Sequence, residues 1–488
     1  MSIGGIVGVS IAGAVVLFVA FLLLRAALTK PKKRVIVQRE EIEFDEEEFA
    51  ARLSGAVRIP TVTVQGDNTD YTPFLQYHEY LEKTFPNVFA HAEKTIINGY
   101  SLVLKIDGSD KSLLPACFLS HQDVVPAPPE GWSVEPFAGE IKDGYVWGRG
   151  SLDMKWHKIA LLSALDRLLA EGKTPVRGIY CCFGHDEEIT GKDGAKNIAA
   201  YLLDKGVRFE YLIDEGGSVM DGAILGSEKP IAIIGVCEKG YVDYVLSSTM
   251  DGGHASNPRK ASSVTTVAQA VYDLSHLPMR TKLTPPIKRM FKNVAPYMKF
   301  SYKILFANGD VLAPLLRAVL PKVSPLLNAA LRTTFGFTQL CGSDAPNVIP
   351  ASASAVVNVR INIGQTQEQV KKYIQKAVGK KISVTELNPG YDPTPVSNMD
   401  SDAFRVLEET IRETYGDIAV TPYPFIAATD AKHYTKLCDN IYRFGPIEMT
   451  TDDQKLIHAI DERVNIKSAT KGMQFFKDFI EKTCFQEG

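Results

Sequence analysis

From residue 114 onward, short apolar runs of strand length alternate with stretches whose apolar residues recur at helical spacing. PACFLS (115–120), GIYCCFG (178–184), FEYLID (209–214) and IAIIGV (231–236) are the strand-type runs; residues 158–169 and 195–203 are the helical ones. This rhythm predicts an α/β fold, a mixed sheet flanked by helices. A second block, residues 241–389, opens with YVDYVLSST and closes with SASAVVNVRINI, a helix over 367–378 and KISVTEL, the pattern of a smaller α+β unit inserted into the first. The expected organisation is residues 1–34 as anchor and basic flank, 35–240 and 390–488 as two parts of a main domain, and 241–389 as the insertion. No internal repeat interrupts this pattern.

The N-terminus departs from the rhythm. Residues 3–24 contain no charge, and at about 1.5 Å per helical residue they can cross a ~30 Å hydrocarbon core. The run is long for a cleaved signal peptide, no Lys or Arg precedes it, and no small-x-small cleavage site follows Leu24, so a single-pass membrane anchor is expected. The basic cluster Arg25, Lys30, Lys32, Lys33 and Arg34 argues for a cytoplasmic C-terminal flank. An acidic stretch follows from Glu40, within which Asp45 and Glu46–Glu48 suit the first turn of a helix.

Composition narrows the function. The 488 residues are 45% hydrophobic and 23% charged, which excludes disorder, collagen and coiled coil. With 54 Lys+Arg against 57 Asp+Glu the net charge is -3, and nucleic acid is not an expected partner. Seven cysteines are too few for a dense disulfide framework, and Cys181–Cys182 within an apolar run read as buried thiols.

The chemistry stands at the C-terminal ends of the strand-type runs, where open α/β sheets place their ligands. His121-Gln122-Asp123 follows the first, Asp153 follows the turn GRGS, His185-Asp186-Glu187-Glu188 follows the second, and Asp214-Glu215 ends the third. One strand-end acid is ordinarily a cap or turn residue. Four such ends in one sheet are different, because converging carboxylates repel and resist ionisation unless cations neutralise them. Imidazole with carboxylate suits zinc, and several carboxylates invite two ions sharing one of them, a pair that can acidify a water and polarise a carbonyl. In an extended segment residues two apart face the same way, so Asp123 can fix the tautomer of His121. Glu187 and Glu188 face opposite ways, so one can ligate while the other handles protons.

The strings SHQDVVPAPPEGWSVEPFAGEIKDGYVWGRGSLDMK, GHDEEITG, LIDEGG, GGHASNP and NVIPASASAVVNVRI, in this order, resemble the zinc-dependent aminoacylase, carboxypeptidase and dipeptidase family. The similarity is closest to its branch of N-fatty-acyl-amino-acid synthase/hydrolases and Gly-X carboxypeptidases, and runs from about residue 46 to near the C-terminus. It implies two zinc ions per subunit: His121 and Asp214 on one, Glu188 and His458 on the other, and Asp153 bridging. Glu187 would be the general base. His458, in an H-x-x-Asp-Glu pattern with Asp461 and Glu462, is preferred to His433 as the last ligand. The insertion would be a lid carrying a homodimer interface, with His254 stabilising the oxyanion, often in the partner's site, and Asn347 and Arg360 gripping the substrate carboxylate. The implied reaction is hydrolysis, reversible in principle, of the amide of an N-acyl, and within this branch N-fatty-acyl, amino acid.

Two other functions stay open at this point. Met154 stands where the fatty-acyl branch tends to carry a second Asp, which keeps a carboxypeptidase or dipeptidase acting on short peptides in view. A membrane-tethered binding protein on a disarmed hydrolase fold is the alternative outside enzymes; the presence of every expected ligand and of the base argues against it. The resemblance favours an extracellular or lumenal catalytic domain, opposite to the basic flank's indication. One stretch has no family role: residues 280–332 hold ten Lys/Arg, the single acid Asp310 and many apolar residues, including Leu315, Leu316, Leu326 and Leu327. It reads either as an acyl-chain portal or membrane-facing surface, or as ordinary helical packing with a solvated basic face.

Overall fold

The computed structural model describes residues 3–31, 44–66 and 68–485. The expected basic flank from Lys32 to Arg34 and the start of the acidic stretch at Glu40 lie outside them. Asp45 caps the helix Glu46–Val57, accepting hydrogen bonds from the backbone N–H groups of Glu47 and Glu48 while three glutamates fill the first turn.

The chain forms β1 (Glu93–Ile97), β2 (Ser101–Ile106), β3 (Ala116–Leu119), β4 (Ile179–Phe183), β5 (Tyr211–Asp214), β6 (Val219–Met220) and β7 (Ile231–Glu238). It leaves through β8 (Gly240–Thr249), β9 (Thr334–Cys341), β10 (Ser352–Ile361) and β11 (Ser383–Tyr391). It returns as β12 (Ala419–Phe425), β13 (Ile441–Arg443) and β14 (Glu448–Met449). The central sheet runs β1-β2-β4-β3-β5-β13-β7-β6-β14, with β12 beside β7. It is mixed: β3 is parallel to β4 and β5, and β5 to β13, whereas β2 is antiparallel to β4. The parallel strands therefore end together, and the loops carrying His121, Glu187 and Glu215 leave from one edge.

Strands β3 and β5 are buried on both faces, which is why they read as continuous apolar runs. The helix Trp156–Ala170 is almost wholly buried, and Phe118 of β3 meets Phe476 and Phe479 of the C-terminal helix Ile466–Ile480 in edge-to-face contacts. Each fully buried Leu of that central helix, such as Leu161 or Leu165, contributes roughly 1.5–3 kcal/mol.

The second sheet is antiparallel, in the order β9-β10-β8-β11. The helices Ser263–His276 and Gln367–Val378 cover one face, each opened by a capping box, Ser262 with Thr265 and Thr366 with Gln369. Its core holds Val242, Tyr244, Leu246, Val267, Val357, Val359 and Ile374.

Five further helices are numbered here: α1 (Ile3–Leu28), α2 (Pro285–Val294), α3 (Phe300–Ala307), α4 (Ala313–Val323) and α5 (Pro325–Leu331). Pro285, Pro314 and Pro325 stand in the first turns of α2, α4 and α5, where a missing N–H costs nothing. Although they interrupt the segment that builds the second sheet, α2–α5 pack on the central one. Ile287, Met290, Phe291, Leu316 and Leu331 form a core with Ile231 of β7 and Ala419 of β12. Helix α1, apolar over Ser10–Leu28 and long enough to cross a membrane, touches this group through its C-terminal turns. There Leu22 and Ala26 are buried, Asn308 donates to the Leu22 carbonyl at 3.0 Å and Arg25 pairs with Asp310 at 3.1 Å.

Candidate metal centre and active site

Strand β3 delivers His121 fully buried, and the helix behind it fixes the backbone there: Lys158 Nζ donates to the His121 carbonyl at 3.0 Å. His121 Nδ1 donates to the backbone carbonyl of Asp123 at 2.9 Å, leaving Nε2 to face Asp153 Oδ1 at 3.0 Å and Glu215 Oε1 at 3.6 Å. The other Asp153 oxygen, Oδ2, lies 3.2 Å from His458 Nε2, and His458 also reaches Glu188 Oε2 at 3.0 Å. Asp153 thus stands between two imidazoles, one oxygen toward each. Ligating atoms of His121, Asp153 and Glu188, and separately of His121, Glu187 and Glu215, fall within 4.8 Å of one another.

Two buried acids hold this arrangement from behind. Asp123 does more than orient His121: its carboxylate accepts the backbone N–H of Glu187 at 3.0 Å, that of Glu188 at 3.1 Å and the Thr63 hydroxyl at 2.8 Å. Burial works against its charge, but these bonds and His121 hold its pKa below the ordinary value. Glu462 accepts the N–H groups of Gly150, Leu152 and Asp153 at 2.9–3.0 Å and pairs with Arg149, whose other arm donates to the His458 carbonyl at 3.1 Å. The H-x-x-Asp-Glu pattern thus joins the loop of Asp153 to that of His458.

Asp214, expected as a ligand, is turned away. Its Oδ1 accepts the Glu215 N–H and its Oδ2 the Ala431 N–H, both at 2.9 Å. Glu215 takes the place beside His121, because neighbours on an extended segment point to opposite sides. The alternation that separates Glu187 from Glu188 carries the same signal for this pair. His433 lies apart, its Nε2 3.3 Å from the Thr190 carbonyl. His157, buried edge-on to Trp156 and Phe476, has no hydrogen-bond partner among the described residues and belongs to the core.

The insertion residues are not brought to this cluster within one chain. His254 is exposed on the short strand Gly253–His254, paired with Val348–Ile349, and bonds Ser256 Oγ at 2.7 Å. Asn347 is exposed beside it. Arg360, on β10 opposite Tyr241 of β8, lies over the Tyr241 ring at 4.8 Å.

The charges decide what the cluster is for. Burial raises the pKa of Glu187 well above the carboxylate range, with Asp430 and Glu188 pushing the same way and His121 and Lys432 opposing. Burial likewise raises Glu215, helped by Asp153, Glu187 and Asp214. Burial opposes the charged form of His121, yet Glu215, Asp123 and Asp153 hold its pKa well above normal; hydrogen bonds to Asp153 and Glu188 hold His458 up to about 10. Without metal, protons neutralise the cluster. A donor set of two imidazoles and four carboxylates crowded in this way fits divalent cations bound through nitrogen and oxygen.

An apolar cavity of about 450 Å³ opens from these residues. Asp153, Glu187, Glu188, Glu215 and His458 form one part of its wall. The rest is largely hydrophobic, including Ile231 and Ile233 of β7, Tyr423 of β12, Ile287 and Met290 of α2, and Leu326 of α5.

An α/β sheet with His and carboxylate at its parallel strand ends, and a second sheet inserted in the chain, is the setting in which the family match below indicates a metallohydrolase acting on amides or peptides. Residues 117–482 match the model of peptidase family M20/M25/M40, and the chain belongs to that family. It is 36% identical to the N-fatty-acyl-amino acid synthase/hydrolase PM20D1 of Xenopus tropicalis, over 96% of this chain and 93% of the relative. It is 37% identical to a probable carboxypeptidase S-like 2 of Dictyostelium discoideum, covering 89% and 85% of the two chains. Among solved structures, an M20 family metallo-carboxypeptidase of Sulfolobus solfataricus shares the fold at TM-score 0.64 and 18% identity, over 90% of this chain and 99% of that one. The family is metal-dependent.

Proposed function

We propose that the protein cleaves, and under mass action can form, the amide bond of N-fatty-acyl amino acids. The observation that carries this is the cavity: a hydrolytic carboxylate cluster opens directly into a largely apolar chamber rather than into a polar cleft for a peptide. The resemblance to N-fatty-acyl-amino acid synthase/hydrolases supports the same reading, and the carboxypeptidase relatives support short peptides as the second one.

His121 and Glu215 would hold one zinc, Glu188 and His458 a second, with Asp153 shared. Zinc there would supply Lewis-acid polarisation and a lowered water pKa. Glu187 takes the proton of the attacking water and returns it to the departing amine; a carboxyl raised by burial suits both tasks near neutral pH. Asp123 keeps Glu187 and Glu188 in place through their N–H groups. Arg360 and Asn347 would bind the amino-acid carboxylate, and His254 would stabilise the oxyanion. The exposure of His254 and Asn347 suits delivery into a second subunit's site, and hence a homodimer through the insertion. Helix α1 would anchor the chain in a membrane.

The test is turnover by the zinc-loaded full chain of a long-chain N-acyl amino acid, the N-acetyl analogue and a dipeptide of the same residue. The long-chain substrate should have the highest kcat/KM. Dipeptide turnover above that of both acyl substrates would replace this reading with the peptidase one.

A further inference from the structure

Helix α4 divides its apolar residues between two faces. Leu316 and Leu320 are 2% and 6% exposed and belong to the core against the central sheet, whereas Leu315, Val319 and Val323, spaced four apart on the adjoining face, are 49%, 41% and 66% exposed. Phe300 and Tyr302 of α3 are also exposed. Three side chains at i, i+4 and i+8 form a continuous stripe that core packing does not explain.

The surroundings name the occupant. Among the described residues helix α1 meets the body through its last turns, against α3 and the Asn308 and Asp310 that follow it, while Ile11 to Phe18 project exposed from it. A bilayer crossed by α1 would therefore have its surface close to α3 and α4. The segment itself is basic: residues 280–332 hold ten Lys/Arg, their one acid, Asp310, is taken by Arg25, and Lys288 and Lys292 join Lys30 in lining a cavity of about 1120 Å³ beside the end of α1, whose acids Asp400, Glu408 and Asp417 come from outside the segment. Apolar side chains flanked by lysines match the interface of a membrane containing anionic lipid. Leu326 of α5 is itself exposed and lines the cavity that holds the carboxylates, so the apolar wall reaches toward this same group of helices.

We propose that α3 and α4 lie on the surface of an anionic bilayer, and that the active-site cavity opens toward it by way of α5, so that long acyl chains pass between bilayer and site without crossing bulk water. The docking rests on the exposed stripe and on the reading of α1 as a membrane anchor; the acyl route rests also on the fatty-acyl reading above.

The docking is tested on the full chain in vesicles of phosphatidylcholine with phosphatidylserine, carrying a fluorophore at Val319→Cys in a Cys341→Ser background, Cys341 being the exposed cysteine. The fluorophore should be quenched by nitroxide placed near the lipid headgroup and shielded from aqueous iodide. Iodide access equal to that of a label at exposed Ser383 overturns the docking. So does shielding that persists in detergent together with a dimer by sedimentation, which would make the stripe a contact between copies. The route is tested with the triple variant Leu315→Asp, Val319→Asp, Val323→Asp, which touches neither the carboxylates nor the cavity wall. Turnover of a vesicle-borne long-chain substrate should fall about tenfold while turnover of the soluble N-acetyl analogue is kept. Equal turnover of the vesicle-borne substrate by variant and wild type overturns the route. Should the wild type fail to turn over long-chain substrate at all, the fatty-acyl reading and the route fall together, and the quenching result still decides the docking.

Discussion

The two parts of the active-site cavity obey different physics. At one, Asp153, Glu187, Glu188, Glu215, His121 and His458 crowd into a few ångströms, each oriented by a buried partner such as Asp123 or Glu462. At the other, Ile233, Met290 and Leu327 offer only shape and apolar area. The polar part decides whether any amide is cleaved; the apolar part decides which one. Perturbing the first should affect all substrates alike, and perturbing the second should affect them in proportion to acyl length.

The largest expected effect is Glu187→Gln. With the proton carrier gone, kcat should fall roughly 10²–10⁴-fold on long-chain and N-acetyl substrates alike, with bound zinc retained. Near-wild-type turnover on either substrate would show that another group handles the proton. Next is Ile233→Trp, which fills the cavity from a half-buried position on β7. It should cost about tenfold in kcat/KM for long chains and little for N-acetyl substrates, since pocket-volume changes are worth ~1–3 kcal/mol. An equal loss on both would mean that the two parts of the cavity are not separable.

The smallest effect is one of pH, and it belongs to the polar part alone. In the metal-free protein the carboxyls of Glu187, Glu188 and Glu215 and the imidazoles of His121 and His458 all have raised pKa values. Groups raised in the folded state contribute stability that is complete below their unfolded values and is lost as pH rises through the folded ones. Asp153, held low by its two imidazoles against the effect of burial, has the opposite sign but is outnumbered. Zinc, which displaces these protons, should therefore bind more tightly as pH rises from 6 to 9, and the Tm gain it brings should grow over the same interval. Calorimetry with and without zinc checks this; a zinc-induced Tm gain that shrinks as pH rises would contradict the charge assignment.

Much of this molecule is legible in its sequence where structure is local. Strands β3, β4, β5 and β7 are buried and therefore appear as unbroken apolar runs, and the helix Gln367–Val378 has the bounds that its periodicity predicts. His121, Glu187 and Glu188 converge because the parallel strands β3 and β4 end at one edge, and the loops of Asp153 and His458, which leave from neither of those strands, are joined to each other through Glu462 and Arg149. The choice between Asp214 and Glu215 was hidden, because it depends on the Ala431 N–H, which arrives from a loop more than two hundred residues later. Residues 280–332 were legible as basic and apolar but not in placement. Their partners, Ile231 and Ala419, come from either side of the insertion. Composition shows that such a segment must bury something; only tertiary structure shows against what.

The account rests on a divalent metal centre built from His and carboxylate side chains gathered at one edge of the central sheet, and metal content tests it most directly. After equilibrium dialysis against zinc, elemental analysis of the full chain should find two ions per chain in the wild type and in Asp214→Asn, and a loss in Glu215→Gln. A wild type that retains no zinc, or a Glu215→Gln variant loaded like the wild type while Asp214→Asn is depleted, would contradict it.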